Sequence, residues 1–307
     1  MTLLSRALLV PVVGCALMLG SSAAQTPSAT PPALRVTLLG TGTPTPSEQR
    51  FGACTLVEAA EQRLLFDAGR GCVIRLNQVG VAWRDLTSVF LTHLHADHTF
   101  ALPDVFLMGW ILGRTDSLDL RGPAGTKDMF ASMVHSLDVD IASRVVNSRK
   151  PPAYSATDIA PGVIYDRNGL TVTAFEVDHT VKPAFGYRVD FNGRSVVFSG
   201  DTRYSENLIR HARGADVLVH EVVFGAGQLN EQQQFVIAGH TTPSQAAQVF
   251  EATKPRLAIY SHVLLLGSAS DEAVMATTRA GYSGRVEMGV DLTVIDVADT
   301  IATRQLK

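Results

Sequence analysis

The sequence predicts one mixed domain of strands and helices, and three observations carry that expectation. Apolar residues fill 46% of the 307 positions and charged residues 18%, enough for a sizeable core and too apolar for general disorder. Short apolar runs bounded by glycine and polar residues read as strands. Longer segments with helical spacing and start signals are interspersed among them. Periodicity alone leaves α/β and α+β open.

Taken in order, the chain opens on a segment that stands apart. Arg6 is the only charge in residues 1–24, Ala7 to Gly20 is almost wholly apolar, and Ser22-Ala23-Ala24 precedes Gln25. That pattern reads as a secretory signal peptide, with an apolar stretch short for a membrane span. It gives an expected periplasmic or secreted location and no stable span after cleavage. The Val12-Val13-Gly14-Cys15 run loosely resembles a lipoprotein cleavage box, but apolar residues continue beyond Cys15. Residues 25–33 form a flexible polar leader, and 34–307 the folded domain. Cleavage removes one arginine and takes the formal net charge from −3 to −4. A net acidic chain has no bulk attraction for a polyanion, which argues against nucleic acid and for a small-molecule ester as partner. Arg144, Arg149 and Lys150 could still form a local basic patch. Nothing in the sequence fixes the oligomeric state, so a homodimer stays open.

Strands are expected at Leu34–Gly40, Cys54–Glu58, Arg63–Asp67 and Ser88–Thr92, then at Leu170–Val177, Gly186–Asp190, Ser195–Ser199, Val217–Glu221 and Leu257–Ser261. Helices are expected near Gly71–Val79, Ala124–Leu137, Ser205–Ala212, Thr242–Thr253 and Ser270–Ala280. Thr242-Pro243 and Ser270 make good helix starts. Cys54 and Cys72 are the cysteines left after cleavage, and two separate buried thiols are favoured over a disulfide. The stripe Phe100, Leu102, Pro103, Phe106 and Trp110 reads as core, with Phe106 and Trp110 the best placed to face a pocket.

The chemistry is concentrated at His93-Leu94-His95-Ala96-Asp97-His98, directly after the apolar run 88–92. Histidine is scarce, 9 in 307, yet three fall within six residues here. On extended backbone His93 and His95 point the same way and can grip one ion, while Asp97 and His98 point elsewhere. Imidazole with carboxylate suits zinc, and also manganese or iron.

This pattern resembles the metallo-β-lactamase superfamily of metal hydrolases. The likeness runs from about Leu34 to near the C-terminus. It includes Leu38-Leu39-Gly40-Thr41-Gly42-Thr43-Pro44, Leu64-Leu65-Phe66-Asp67-Ala68-Gly69, Val177-Asp178-His179, Phe198-Ser199-Gly200-Asp201-Thr202 and Tyr260-Ser261-His262. The resemblance implies an α+β fold, an αββα sandwich with two divalent ions, zinc first, at one edge. By that likeness His93, His95 and His179 hold one ion, Asp97, His98 and His262 the other, and Asp201 bridges them. Asp67 then orients a ligand histidine. His220-Glu221 and Gly239-His240-Thr241-Thr242 look like the ribonuclease Z and arylsulfatase branch, where the positions of Glu221 and His240 form a proton-shuttling pair. The resemblance makes Asp97, His240 and Glu221 the catalytic candidates. His220 reads as structural, and His135 and His211 as surface residues.

The implied chemistry is ester hydrolysis by a hydroxide shared between two ions. The short, proline-containing stretch Ala142–Asn168 stands where ribonuclease Z carries a long basic arm. Together with the expected export, that favours an arylsulfatase-like enzyme on sulfate or phosphate esters. A phosphodiesterase or ribonuclease Z-like nuclease, and a lactonase or β-lactamase on the same site, are the alternatives.

Overall fold

The computed structural model describes residues 34–145 and 150–306. The segments expected at residues 1–24 and 25–33, and Arg149 of the basic patch, lie outside the described residues. The chain lays down one sheet, then a second, and returns to the first. β1 (Leu34–Gly40), β2 (Cys54–Ala59) and β3 (Gln62–Phe66) run antiparallel. α1 (Cys72–Gln78) then leads to β4 (Ser88–Phe90), which lies parallel to β3. α2 (Ala96–Thr99) and α3 (Leu102–Ile111) precede β5 (Leu118–Gly122); α4 (Thr126–His135) and α5 (Asp138–Arg144) precede β6 (Tyr154–Asp158). β5 and β6 continue the parallel run, as helical crossovers require.

The second sheet begins antiparallel with β7 (Gly162–Arg167), β8 (Leu170–Val177), β9 (Ala184–Phe191) and β10 (Arg194–Phe198). After α6 (Glu206–Ala212) it turns parallel through β11 (Val217–Ala226). α7 (Glu231–Ala238) and α8 (Pro243–Thr253) lead to β12 (Leu257–Gly267), and α9 (Asp271–Gly281) to β13 (Val286–Met288). β14 (Thr293–Val297) and β15 (Ile301–Gln305) then close the first sheet beside β1.

Three apolar clusters make the layers. Between the sheets lie Val36, Leu38, Phe66 and Phe90 against Val172, Tyr187, Phe198 and Ile259. Leu39, Leu65, Val89 and Leu91 face the other way, under Leu76 of α1 and Phe106 of α3. Leu218, Ala258 and Tyr260 face Phe250 of α8 and Val274 of α9. Val217 and Val219 point inward while Leu218 points outward, so β11 is apolar on both faces, as a parallel strand between layers must be. The arrangement is the αββα sandwich.

The expected strands form, and β11 and β12 run past their expected ends to Ala226 and Gly267. Thr242 caps α8 with Gln245 in a capping box, and Ser270 accepts from Ala273 N at the start of α9. The structure adds β5, β6, β7, β13, β14, β15 and α2, α3, α5, α7. β6 is the border strand of its sheet and half-exposed, so its residues carry little apolar signal.

The thiol expectation is corrected: Cys54 and Cys72 form a disulfide, with Cα atoms 5.8 Å apart. The cause is local. Gly69 N donates to Ala53 O and Gly52 N to Arg70 O, which brings the first residues of β2 and α1 together. A Cβ on Gly69 would lie 2.2 Å from Asp97 O, so this close packing also sets the position of the metal motif. The Phe100 stripe divides: Leu102, Phe106 and Trp110 are buried, whereas Phe100 is 58% exposed.

Candidate metal centre

The candidate residues come from loops at one edge of both sheets. β4 ends at Phe90, and Tyr187 of the facing sheet donates to Leu91 O at 2.6 Å, fixing the strand exit. Asp67, just past β3, adopts φ 61 and turns its carboxylate onto this exit. It accepts from Thr92 N at 2.8 Å, from Thr92 Oγ1 at 2.9 Å and from His98 Nδ1 at 2.8 Å. Thr92 spends its hydroxyl proton on Asp67, so its oxygen can accept from His93 Nδ1 at 3.0 Å. His95 is the extended residue before α2, which puts Asp97 and His98 in the first turn.

The second sheet supplies the rest. His179 follows β8, and its Nδ1 donates to Gly239 O at 3.1 Å. Asp201 follows β10 through Gly200, whose φ of 59 and close approach to Phe185 O exclude a side chain. His262 sits inside β12 with φ 49, where the pairing with β11 slips between His220 and Val222. This bulge turns one residue out of the ladder and aims its ring at the edge.

These partners determine which ring nitrogens are free. The Nδ1 bonds of His93, His98 and His179 leave each Nε2 facing the centre. His93 Nε2, His95 Nδ1, His179 Nε2 and an Asp201 oxygen draw together, as do Asp97, His98 and His262, the atoms of each group within 4.8 Å of one another. His93 Nε2 is 2.9 Å and His179 Nε2 3.3 Å from His95 Nδ1. Two imidazoles on one tetrahedral zinc at about 2.0–2.1 Å would hold their nitrogens roughly 3.3 Å apart. Asp201 Oδ2 lies 3.8 Å from His93 Nε2, 3.5 Å from His98 Nε2 and 3.4 Å from His262 Nε2, central to both groups. His98 Nε2 is buried with no hydrogen-bond partner, an orphan that a cation would satisfy. The donor set fits two divalent ions.

The protonation states of His93, His95 and His179 agree. Burial, reinforced by neighbouring imidazoles, holds His93 well below its usual range, and burial lowers His95 and His179. Neutral rings present the lone pairs that a metal needs. Burial opposes charge on Asp201, but His262 and His98 hold it well below the usual carboxylate range. Burial likewise opposes charge on His98, and Asp201 and Asp67 outweigh it and raise that ring well above its usual range.

Beside this cluster stands the His240–Glu221 pair. His240 Nδ1 is 3.2 Å from Glu221 Oε1, and that oxygen also accepts from Thr202 N and Thr241 N, each at 3.0 Å. Burial disfavours the imidazolium of His240, but Glu221 and then Asp201 carry its pKa up to about 9. His240 Nδ1 is 4.0 Å from Asp201 Oδ2, at the border of the centre. His220 is fully buried against Phe250, with Nδ1 on Glu221 O at 2.6 Å. His135 is exposed, whereas His211 is half-buried, stacked on Phe175. Sequence reasoning missed the bracing by Thr92, Gly239 O and the Thr202 and Thr241 amides. Only adjacency to ligands hinted at these.

Residues 62–263 match the family model for the beta-lactamase superfamily domain. A protein named Ribonuclease Z from Mycobacterium avium is 35% identical over 275 residues, covering 86% of this chain and 98% of that one. The crystal structure of human tRNase Z, short form, superposes with a TM-score of 0.65 at 22% identity, covering 86% of this chain and 99% of the other. Zinc-bound PqqB from Methylobacterium extorquens gives 0.59 at 16% identity, over 86% and 100% of the two chains.

The ribonuclease Z relatives overturn three expectations. The arylsulfatase-like reading falls, and so does the argument against nucleic acid. A formal charge summed over the chain says nothing of the field at one edge, and within Ala142–Asn168 the described residues include the border strands β6 and β7. The periplasmic or secreted location falls with them. Residues 1–24, its ground, lie outside the described residues; among those described, no helix is long and apolar enough to cross a membrane. By sequence and by fold, the chain belongs to the metallo-β-lactamase superfamily, on the branch of the ribonucleases Z.

Proposed function

We propose that this metallo-β-lactamase-fold hydrolase is a phosphodiesterase that cleaves RNA at a dinuclear centre, with zinc as the resident metal. The observation that carries the reading is the His240–Glu221 pair set against seven converging ligand groups. The 35% identity to proteins named Ribonuclease Z supports RNA as the substrate class. His93, His95 and His179 would hold one ion and Asp97, His98 and His262 the other, with Asp201 between. When bound, the ions supply a strong nucleophile at neutral pH and neutralise charge on the attacked phosphate.

The protein's own part is proton handling and orientation. Glu221 Oε1 anchors Nδ1 of His240, which leaves Nε2 to donate to the leaving oxygen. With its pKa at about 9, His240 carries that proton at neutral pH, and cations close by would bring it down toward the working range. Two backbone amides hold Glu221 in place, so the shuttle does not wander.

The test is direct. Zinc-loaded protein is assayed on a tRNA precursor with a 3′ extension, on bis-nitrophenyl phosphate, on nitrophenyl sulfate and on a lactone. Cleavage of the precursor at one position, with turnover of the phosphodiester, is the expected result. Turnover of the lactone with both phosphodiesters inert would move the reading to carbon-centred hydrolysis.

A further inference from the structure

Arg114 is a buried cation without a counterion. It is 7% exposed, and its Nη2 donates to Trp83 O at 2.7 Å. Its Nε and Nη1 are buried and have no hydrogen-bond partner. No carboxylate neutralises it among the described residues. Asp116 is exposed and lines the same cavity without pairing, and burial alone holds the pKa of Arg114 down at about 10. Unpaired buried charge is costly, so such a group calls for an occupant or a role. The sandwich explains neither, since the guanidinium lies against Gly109 of α3, where a Cβ would come within 2.7 Å of it.

The surroundings describe an occupant. Arg114 lines a cavity of about 420 Å³ whose other walls include Phe106, Trp110, Pro151 and Pro152. That volume falls in the range of small-molecule sites. None of the seven candidate metal ligands lines it. We infer that this cavity binds a small organic anion, an apolar ring or chain carrying one carboxylate or phosphate, with Arg114 holding the anionic group. Whichever hydrogen Nη2 spends on Trp83, one pair of parallel N–H groups stays free, and that fork matches two anionic oxygens. Neither Nε nor Nη1 meets solvent, so the occupant must turn the guanidinium toward the cavity. The turn exchanges an unpaired charge for a paired one. The apolar body meanwhile covers the aromatic and proline walls.

Both tryptophans of the chain adjoin Arg114, one through its carbonyl and one across the cavity, so intrinsic fluorescence reports on the site. The full-length, metal-loaded protein is titrated with 3-phenylpropanoate, with phenyl phosphate and with the neutral 3-phenylpropanol. The inference expects saturable binding of at least one anion, with the alcohol roughly ten-fold or more weaker. The two anions tell a carboxylate ligand from a phosphate one. Arg114→Met should abolish the preference for the anion. Arg114→Lys keeps the charge without the fork and should weaken the anion several-fold while preserving the fold. Absence of saturable binding, equal binding of the alcohol, or anion binding unchanged in both variants would overturn the inference. The last outcome would assign the binding to the metal centre.

Discussion

Replacing Asp67 with asparagine tests how the centre is built, because Asp67 is the hinge between scaffold and ligand. The amide oxygen can still accept from Thr92 N. Its NH2 would then face His98 Nδ1, donor against donor, across what is now a 2.8 Å bond between buried groups. His98 escapes by moving its proton to Nε2, the nitrogen that faces Asp97 and Asp201. A charge-assisted bond of this kind is worth about 1.5–3 kcal/mol. At about 1.4 kcal/mol per decade that is roughly ten- to hundred-fold in metal affinity, the same range known for loss of a carboxylate behind a ligand histidine. Competition against a chromophoric chelator measures the two ions in turn. The ion at Asp97, His98 and His262 should weaken by that factor, and the ion at His93, His95 and His179 by much less. Equal loss at both sites, or a change below about three-fold at the site of Asp97, His98 and His262, would refute the orienting role and make Asp67 a brace for the strand exit. A melting curve on the metal-free variant separates that outcome from general unfolding.

The other expectations follow from the same geometry. Asp201→Ala should lower metal content from about two ions per chain, measured by elemental analysis, because Asp201 Oδ2 lies within 3.8 Å of His93, His98 and His262. His240→Ala should leave metal content intact and cost roughly 10²-fold or more on a poor leaving group, with far less effect on nitrophenyl phosphodiesters. An equal loss on both would make His240 a positioning residue. Gly69→Ala should impair folding or metal binding, since its Cβ would sit 2.2 Å from Asp97 O, backbone that cannot yield cheaply; a normal melting temperature with full metal content would contradict this. Chelation should lower the melting temperature, and free metal at 100 times its dissociation constant should restore about 2.7 kcal/mol.

Much of this could be read from residues alone. His93, His95, Asp97 and His98 announced themselves by density, and the apolar run before them marked the strand that ends there. The two-sheet core was legible wherever strands are apolar, as in β1 and β8. What stayed hidden depended on tertiary contact. Nothing local says that His262 takes φ 49 at a slip in the ladder, or that Gly239 lends its carbonyl to a ring 60 positions earlier. The Cys54–Cys72 pairing was unreadable because it rests on Gly52 and Gly69 packing across strands. The substrate was misread for a different reason. Export and net charge are properties of the whole chain, whereas recognition is set by surface near the site.

The order of the ligands along the chain has a consequence for biosynthesis. Both sheets contribute, and the last group, His262, arrives only on β12. A nascent chain that has passed residue 179 already carries His93, His95 and His179, three members of one group, before Asp201 exists. The other group, Asp97, His98 and His262, is complete only once β12 has joined β11. A chain truncated before residue 262 would therefore lack one of the seven ligand groups, however well its first sheet had formed.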